Sequence, residues 1–250
     1  MERTAVRGRL NWLVAEVVDL IDETGTVKSI VLDCPDWPLH LPGQHVDIRL
    51  TAEDGYQAQR SYSIANPPAG EKVVVTVELV DDGEVSPYLI GELAVGDQIE
   101  LRGPIGGYFV WTPEHGGPVQ LVAGGSGLVP LMAMIRALAE SDRQVPVRLL
   151  TSARSRETLI YGDELRRLQS SLDNLEVAYT LTRAQPADWQ GYSRRVDQQM
   201  LAETSWPATE RPLGFVCGPT GFVETVAANL VALGHDAARI KTERFGPSGG

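Results

Sequence analysis

The sequence predicts a two-domain chain: an N-terminal antiparallel six-stranded β-barrel over residues 1–112 and a C-terminal α/β domain with a parallel sheet over 113–250. Two textures predict it. From 8 to 102, short runs rich in β-branched residues are broken at close intervals by Gly, Pro and Asp, which is how a small barrel reads. Past the linker Thr112-Pro113-Glu114-His115-Gly116-Gly117-Pro118, strand, glycine turn and helix repeat. That is the pattern of βαβ units, whose parallel strands are covered on both faces. A chain of 250 residues buries two ordinary cores without metals or disulfides.

In the barrel half, strands are expected at 10–19, 26–33, 45–51, 57–64, 73–79 and 98–101. Turn residues separate them at Glu23-Thr24-Gly25, Pro42-Gly43, Asp54-Gly55 and Pro67-Pro68-Ala69-Gly70. One helical stretch, near 84–91, interrupts the series. In the second half, a strand at 119–123 leads into a helix at 128–139, and a strand at 147–151 into a helix at 162–172. A strand at 175–181 follows; then 215–217 leads into a helix at 222–233, and 240–242 closes the sheet. Ligands of such sheets sit beyond the carboxyl ends of the strands.

Composition removes several function classes. A net charge of −11 opposes nucleic-acid binding, which needs surplus cations to displace counterions. Residues 1–112 carry 18 acidic and 8 basic side chains, whereas the remainder carries 15 and 14. Either the first half simply has a solvated acidic face, or the more basic second half binds a phosphate-rich ligand. Cys34 and Cys217 lie far apart in unlike surroundings, so no disulfide framework or zinc knuckle is expected, and a reducing cytoplasm is. No apolar run is long enough to cross a membrane, and no signal peptide is expected. The four histidines fall at no metal-ligand spacing, so no metal is expected. There is neither a G-x-S-x-G elbow nor a Walker lysine, which leaves hydrolase and phosphoryl-transfer readings without support.

Three segments carry chemistry. In Gln59-Arg60-Ser61-Tyr62-Ser63-Ile64, strand alternation puts Arg60 and Tyr62 on one face. An aromatic to stack, a hydroxyl to donate and a cation to pair suit a planar ligand that also bears phosphate. Tyr62 capping the barrel and Arg60 pairing a carboxylate is the structural alternative. In Val119 through Pro130, a buried strand runs into a helix through Gly124, Gly125 and Gly127. Glycines there admit a pyrophosphate to the helix N-terminus, and Pro130 needs no N–H in the first turn. The spacing is not G-x-G-x-x-G. In Phe215-Val216-Cys217-Gly218-Pro219-Thr220, the thiol stands at the carboxyl end of a strand, either facing the crevice or buried as a small hydrophobe.

In this order and at this separation, R-x-Y-S, G-G-x-G-x-x-P and C-G-P resemble the ferredoxin-NADP reductase family, over nearly the whole chain. The resemblance implies an FAD barrel followed by a nicotinamide-nucleotide domain. It implies that Arg60 and Ser61 help to hold FAD, with Arg60 on the pyrophosphate. Tyr62 stacks on the isoalloxazine, and Ser63 bonds near flavin N5. Val77, Leu79 and Val80 line the adenosine side, and Gly83 and Ser86 form a second phosphate loop. Ser86 is equally an N-cap with Pro87 at the first helical position, and both roles hold at once. Gly124, Gly125, Gly127 and Pro130 cradle the nicotinamide dinucleotide, while Cys217, Gly218 and Pro219 border the nicotinamide. Ser63, Tyr62 and Cys217 are thus the expected catalytic residues. Phe245, in Glu243-Arg244-Phe245-Gly246, either screens the flavin or fills core.

No acid precedes Glu157 where the second parallel strand ends in Arg154-Ser155-Arg156, and Arg183 follows the third. An acid there favours a free ribose 2′-hydroxyl and arginines a 2′-phosphate, so NADPH is expected, with NADH the other candidate. The aromatic, basic loop 188–195 reads as surface packing or as contact with the adenine end. Two cysteines cannot ligate a plant-type [2Fe–2S] cluster. The expected acceptor is therefore a separate carrier, a ferredoxin or the iron–sulfur component of an oxygenase. The alternatives are a flavin or ferric reductase acting on small acceptors, and a flavin-binding subunit without turnover.

Overall fold

A computed structural model describes residues 10–246. Strands β1 (Leu13–Thr24), β2 (Val27–Asp33), β3 (His45–Thr51), β4 (Gln57–Ser63), β5 (Lys72–Glu78) and β6 (Gln98–Ile105) form one antiparallel sheet, with helix α1 (Ser86–Gly91) between the last two. The sheet order is β4-β3-β6-β1-β2-β5. An Ile64–Val75 bridge joins its two edges, so the sheet curls onto a core of Ala15, Val17, Ile30, Leu32, Ile48 and Leu101. Alternation drives this burial, because every second side chain on a strand points inward. The first turn differs from expectation: β1 extends to Thr24, which pairs Val27 across Gly25-Thr26. A two-residue hairpin thus replaces the expected loop.

The second half builds β7 (Val119–Gly124), α2 (Leu128–Ala139), β8 (Val147–Ala153), α3 (Gly162–Ser171), β9 (Leu175–Leu181), α4 (Gln198–Thr204), β10 (Leu213–Pro219), α5 (Thr220–Ala232) and β11 (Ile240–Phe245). Its five strands are parallel, in the order β11-β10-β7-β8-β9. The chain winds outward from β7 through β8 and β9, then restarts on the other side at β10. The β7–β10 junction is therefore a topological switch point, where strand ends open into a crevice. Along β7, Leu121 and Ala123 pack under α2, while Val122 packs with Met200, Val223 and Leu230 from α4 and α5. Helix α4 has no counterpart in the sequence reading. It is short and polar and buries only Met200 and Leu201, so it shows no apolar period; Asp197 caps it by accepting from the Met200 N–H at 2.8 Å.

Helix α2 is nearly all buried because it faces its own sheet on one side and the barrel on the other. Val27 and Ala65 of the barrel belong to the same apolar cluster as Leu131, Met134 and Ile135.

Candidate functional site

A cleft of about 520 Å³ opens over the carboxyl ends of β7, β8 and β10, and its opposite wall is the β1–β2 hairpin with Glu78. Each glycine of the β7–α2 turn has its own reason. Gly125 holds φ +56 and a side chain there would point into open space. Gly127 is pressed on the Cys217 carbonyl, and a Cβ on Gly124 would lie 2.9 Å from the Phe222 ring. Gly124 and Gly125 line the cleft, as do Pro219, Arg154 and Arg183. Pro130 is buried in the first turn of α2, where its missing N–H has no partner to lose. Gly218 is packed against Phe222.

Arg195 also lines this cleft, from the loop for which the sequence leaves surface packing and contact with the adenine end both open. Among the described residues, Arg154, Arg183 and Arg195 are all exposed and form no ion pair. Arg156 departs from expectation: it is outside the cleft, paired with Asp188 at 3.1 Å and set over the Trp189 ring. An open left-handed turn at a helix N-terminus, faced by free guanidinium groups, fits the pyrophosphate and ribose of a dinucleotide.

On the barrel, β4 places Arg60 and Tyr62 on the face opposite Ser61. Tyr62 is half-buried against the barrel core, and burial pushes its phenol up to about 12, so it is neutral and suited to stacking. Arg60 is loosely held, donating to the Gln59 carbonyl at 2.7 Å with Glu84 3.6 Å away. Among the described residues the Ser63 hydroxyl makes no hydrogen bond. Arg60 thus pairs with a carboxylate, the structural alternative, through an exposed contact that a phosphate can replace. With that exchange, a planar ring, a free hydroxyl donor and a guanidinium fit a flavin nucleotide.

Three barrel expectations are corrected. Ser61 donates to Asp47 at 2.6 Å, and Asp47 is also held by Arg102 at 2.6 Å; that hydroxyl is engaged away from the Arg60–Tyr62 face. Val77 is fully buried in the barrel core, because it alternates inward on β5. Leu79 is half-buried and Val80 exposed beyond it. Ser86 is no N-cap: Val85 occupies that position, and the buried Ser86 hydroxyl accepts from the Val80 N–H at 3.0 Å. With Gly83 donating to the Val80 carbonyl at 2.8 Å, this folds 80–86 into a tight loop.

The barrel and the sheet meet at a half-buried junction. Ser63 lies opposite His45 across β3 and β4. Nδ1 of His45 stands 3.9 Å from Glu243 on β11, and Glu243 is in register with Cys217 on β10. At that distance the His45–Glu243 contact is not a hydrogen bond. Burial lowers His45 and raises Glu243 to about 7, so both lean toward their neutral forms; one Glu243 oxygen is buried without a partner. Burial, then the nearby Glu243, raises the Cys217 thiol well above its ordinary value, so this is no thiolate nucleophile. Phe245, two residues past Glu243, is half-buried against the α2-side core. His45 and Glu243 escaped the sequence reading as site residues because each meets the other only through a domain contact.

Among the described residues, no group of three or more metal-ligating side chains is placed to hold a metal, and no helix is long and apolar enough to cross a membrane.

Comparison with known proteins gives the same division. The oxidoreductase FAD-binding domain family matches residues 21–110, and the oxidoreductase NAD-binding domain family matches 121–228. The chain is 31% identical over 235 residues to a glycine betaine monooxygenase reductase subunit from Pseudomonas aeruginosa, covering 92% of this chain and 63% of that protein. It is also 31% identical over 246 residues to the ferredoxin reductase component of a 3-ketosteroid-9-alpha-monooxygenase from Mycobacterium tuberculosis, covering 93% and 65%. The chain thus spans less than two thirds of either relative. The flavohem-like FAD/NAD-binding domain of nitric oxide dioxygenase from Vibrio cholerae superposes with a TM-score of 0.84 at 29% identity, covering 94% of this chain and 99% of that one. The chain belongs to the ferredoxin reductase-type oxidoreductases, enzymes that join an FAD-binding to an NAD-binding domain.

Proposed function

We propose that this protein transfers a hydride from NADPH to FAD and passes the electrons to a separate protein carrier, a ferredoxin or the iron–sulfur component of an oxygenase. The observation that carries this reading is the Ser63–His45–Glu243–Cys217 junction, which brings the β4 end of the barrel and the β10 end of the sheet to one half-buried spot. FAD supplies the conversion of a two-electron donor into one-electron steps. The chain supplies position and electrostatics. Tyr62 presents a stacking face, Arg60 neutralises phosphate, and Ser63 donates a hydrogen bond where the two rings approach. Gly125 and the α2 N-terminus hold the pyrophosphate. Cys217 is small, buried and neutral, so it borders the nicotinamide without placing a charge beside it.

Free Arg154, Arg183 and Arg195 in the cleft support NADPH, since a 2′-phosphate gives them their partner. Glu78 is the acid on that wall, and it comes from the barrel side rather than from the end of β8. The relatives' names support a protein acceptor, and two buried free cysteines support a reducing cytoplasm. We place the domain division at 112/113.

The test is anaerobic bleaching of bound flavin by each nicotinamide, followed by steady-state turnover with a ferredoxin, free FMN or a ferric chelate as acceptor. Rapid bleaching is expected, with kcat/KM for NADPH at least tenfold above NADH. In Arg195→Ala that ratio falls about tenfold, the size of one lost charged hydrogen bond. No bleaching with either nicotinamide would reject the enzyme reading, an NADH preference the role of the arginines, and turnover with small acceptors alone the protein carrier.

A further inference from the structure

The helix that opens at the dinucleotide turn ends on the flavin strand. Helix α2 begins just after Gly125-Ser126-Gly127, and about two turns later Arg136 sends Nη1 across to the barrel, donating to the Ala65 carbonyl at 2.7 Å. Ala65 is two residues past Ser63, and its own N–H is tied to the Val74 carbonyl of β5 at 2.7 Å. The other arms of the fork grip Glu164 of α3 at 2.8 and 2.6 Å. One guanidinium therefore joins α2, α3 and the end of β4, with geometry that a single ammonium does not reproduce.

Beside it runs a second tie. Tyr161 is 4% exposed and lies under Arg136, whose guanidinium carbon is 4.7 Å from its ring centroid. Its hydroxyl hydrogen-bonds Thr76 of β5, which bonds Ser29 at 2.8 Å, and Ser29 donates to Glu23 at 2.6 Å. Tyr161 holds φ +56, a left-handed backbone that a bulky side chain adopts only where its surroundings over-determine it. Here the surroundings are the barrel wall on one side and the start of α3 on the other.

We propose that Arg136 and Tyr161 are positioning residues that lock the angle between the two domains and so set the separation at which nicotinamide and flavin react. This rests on the function proposed above. Neither residue lines the dinucleotide cleft, so their effect belongs to orientation rather than to contact with a cofactor. Transfer between two separately bound rings is steep in distance, and a misplacement near 1 Å costs on the order of a hundredfold in rate.

The test uses the full chain, with Arg136→Lys, which keeps the charge beside Glu164 but loses the fork, and Tyr161→Phe, which loses only the hydroxyl. In the apoprotein, spin labels at Val95→Cys and Val231→Cys, both exposed and one on each domain, report the inter-domain distance distribution; Cys34 and Cys217 are buried and stay unlabelled. In the FAD-loaded protein, anaerobic stopped-flow bleaching separates the limiting rate from nicotinamide affinity. The expected result is a broadened distance distribution and a limiting rate at least tenfold lower, with FAD and nicotinamide dissociation constants within threefold of the parent. An unchanged distribution, an unchanged limiting rate, or a rate that falls only in proportion to lost cofactor overturns the proposal. If the parent flavin is not bleached at all, the enzyme reading fails, while the distance measurement still decides whether the domain lock exists.

Discussion

Glu243 is a carboxyl whose burial raises it from about 4.5 to about 7, with His45 too far for a hydrogen bond and one oxygen unpartnered. The folded protein therefore keeps this proton to a higher pH than the unfolded chain does. Between those two values the folded state binds more protons, so stability falls as pH rises through the window and levels off above it. Glu243→Gln removes that loss. Relative to the parent, the variant gains roughly 2 to 3 kcal/mol on going from pH 4.5 to pH 8, the linkage value of such a shift. Urea denaturation of parent and variant apoprotein at both pH values measures it; an equal difference at the two pH values means the buried carboxyl is already ionised. Residues of this kind were the least legible in the sequence. Tyr62 and Cys217 were visible because each sits in a local pattern, an alternating strand or a strand ending in glycine. Glu243 and His45 carry no such pattern, for they are 198 positions apart and meet only across the domain contact.

At the scale of elements, the β7–α2 turn shows how three similar glycines do unlike work. A Cβ on Gly127 overlaps the Cys217 carbonyl and comes within 2.7 Å of the Gly218 nitrogen, both backbone atoms that cannot step aside. A Cβ on Gly125 meets nothing but must accept φ +56. Gly127→Ala is therefore expected to cost about 2 to 3 kcal/mol, as overpacking does, and to weaken nicotinamide binding by separating α2 from β10. Gly125→Ala costs only about 1 to 2 kcal/mol, the penalty of a left-handed residue. Chemical denaturation of both variants ranks them, and equal costs contradict the close approach of β10 to the turn. The sequence showed that this turn was glycine-rich and joined a strand to a helix. Which glycine was needed for which reason depended on β10, nearly 90 residues later. Helix α4 was invisible for a related cause: its few apolar contacts become a buried face only once α5 lies beside it.

For the whole molecule, the barrel and the parallel sheet share a core. Val27 and Ala65 pack with α2, while Arg136 and Tyr161 cross the same boundary with hydrogen bonds. Unfolding either half exposes apolar surface of the other, so the full chain is expected to unfold in one transition. Urea titration tests this by comparing far-ultraviolet circular dichroism with the fluorescence of the five tryptophans, which lie in both halves, Trp37 in the barrel core and Trp206 donating to the Val119 carbonyl at the base of β7. Transitions that separate between the probes mean that the shared core does not couple the domains.

The sequence alone determined the class of each half, the strand-to-helix turns that open the cleft over the parallel sheet, and the alternating arginine, tyrosine and serine pattern of β4. Each of these follows from periodicity or turn chemistry within a few tens of residues, where chain connectivity dictates geometry. Only the tertiary structure decided which of those residues remain free. It turned Ser61 to Asp47, Val77 into the core, Ser86 to Val80 and Arg156 to Asp188, and it brought Arg195 into the cleft. It also set Glu243 beside Cys217 and tied Arg136 to Ala65. Such pairings join residues distant along the chain, and local propensity carries no record of them.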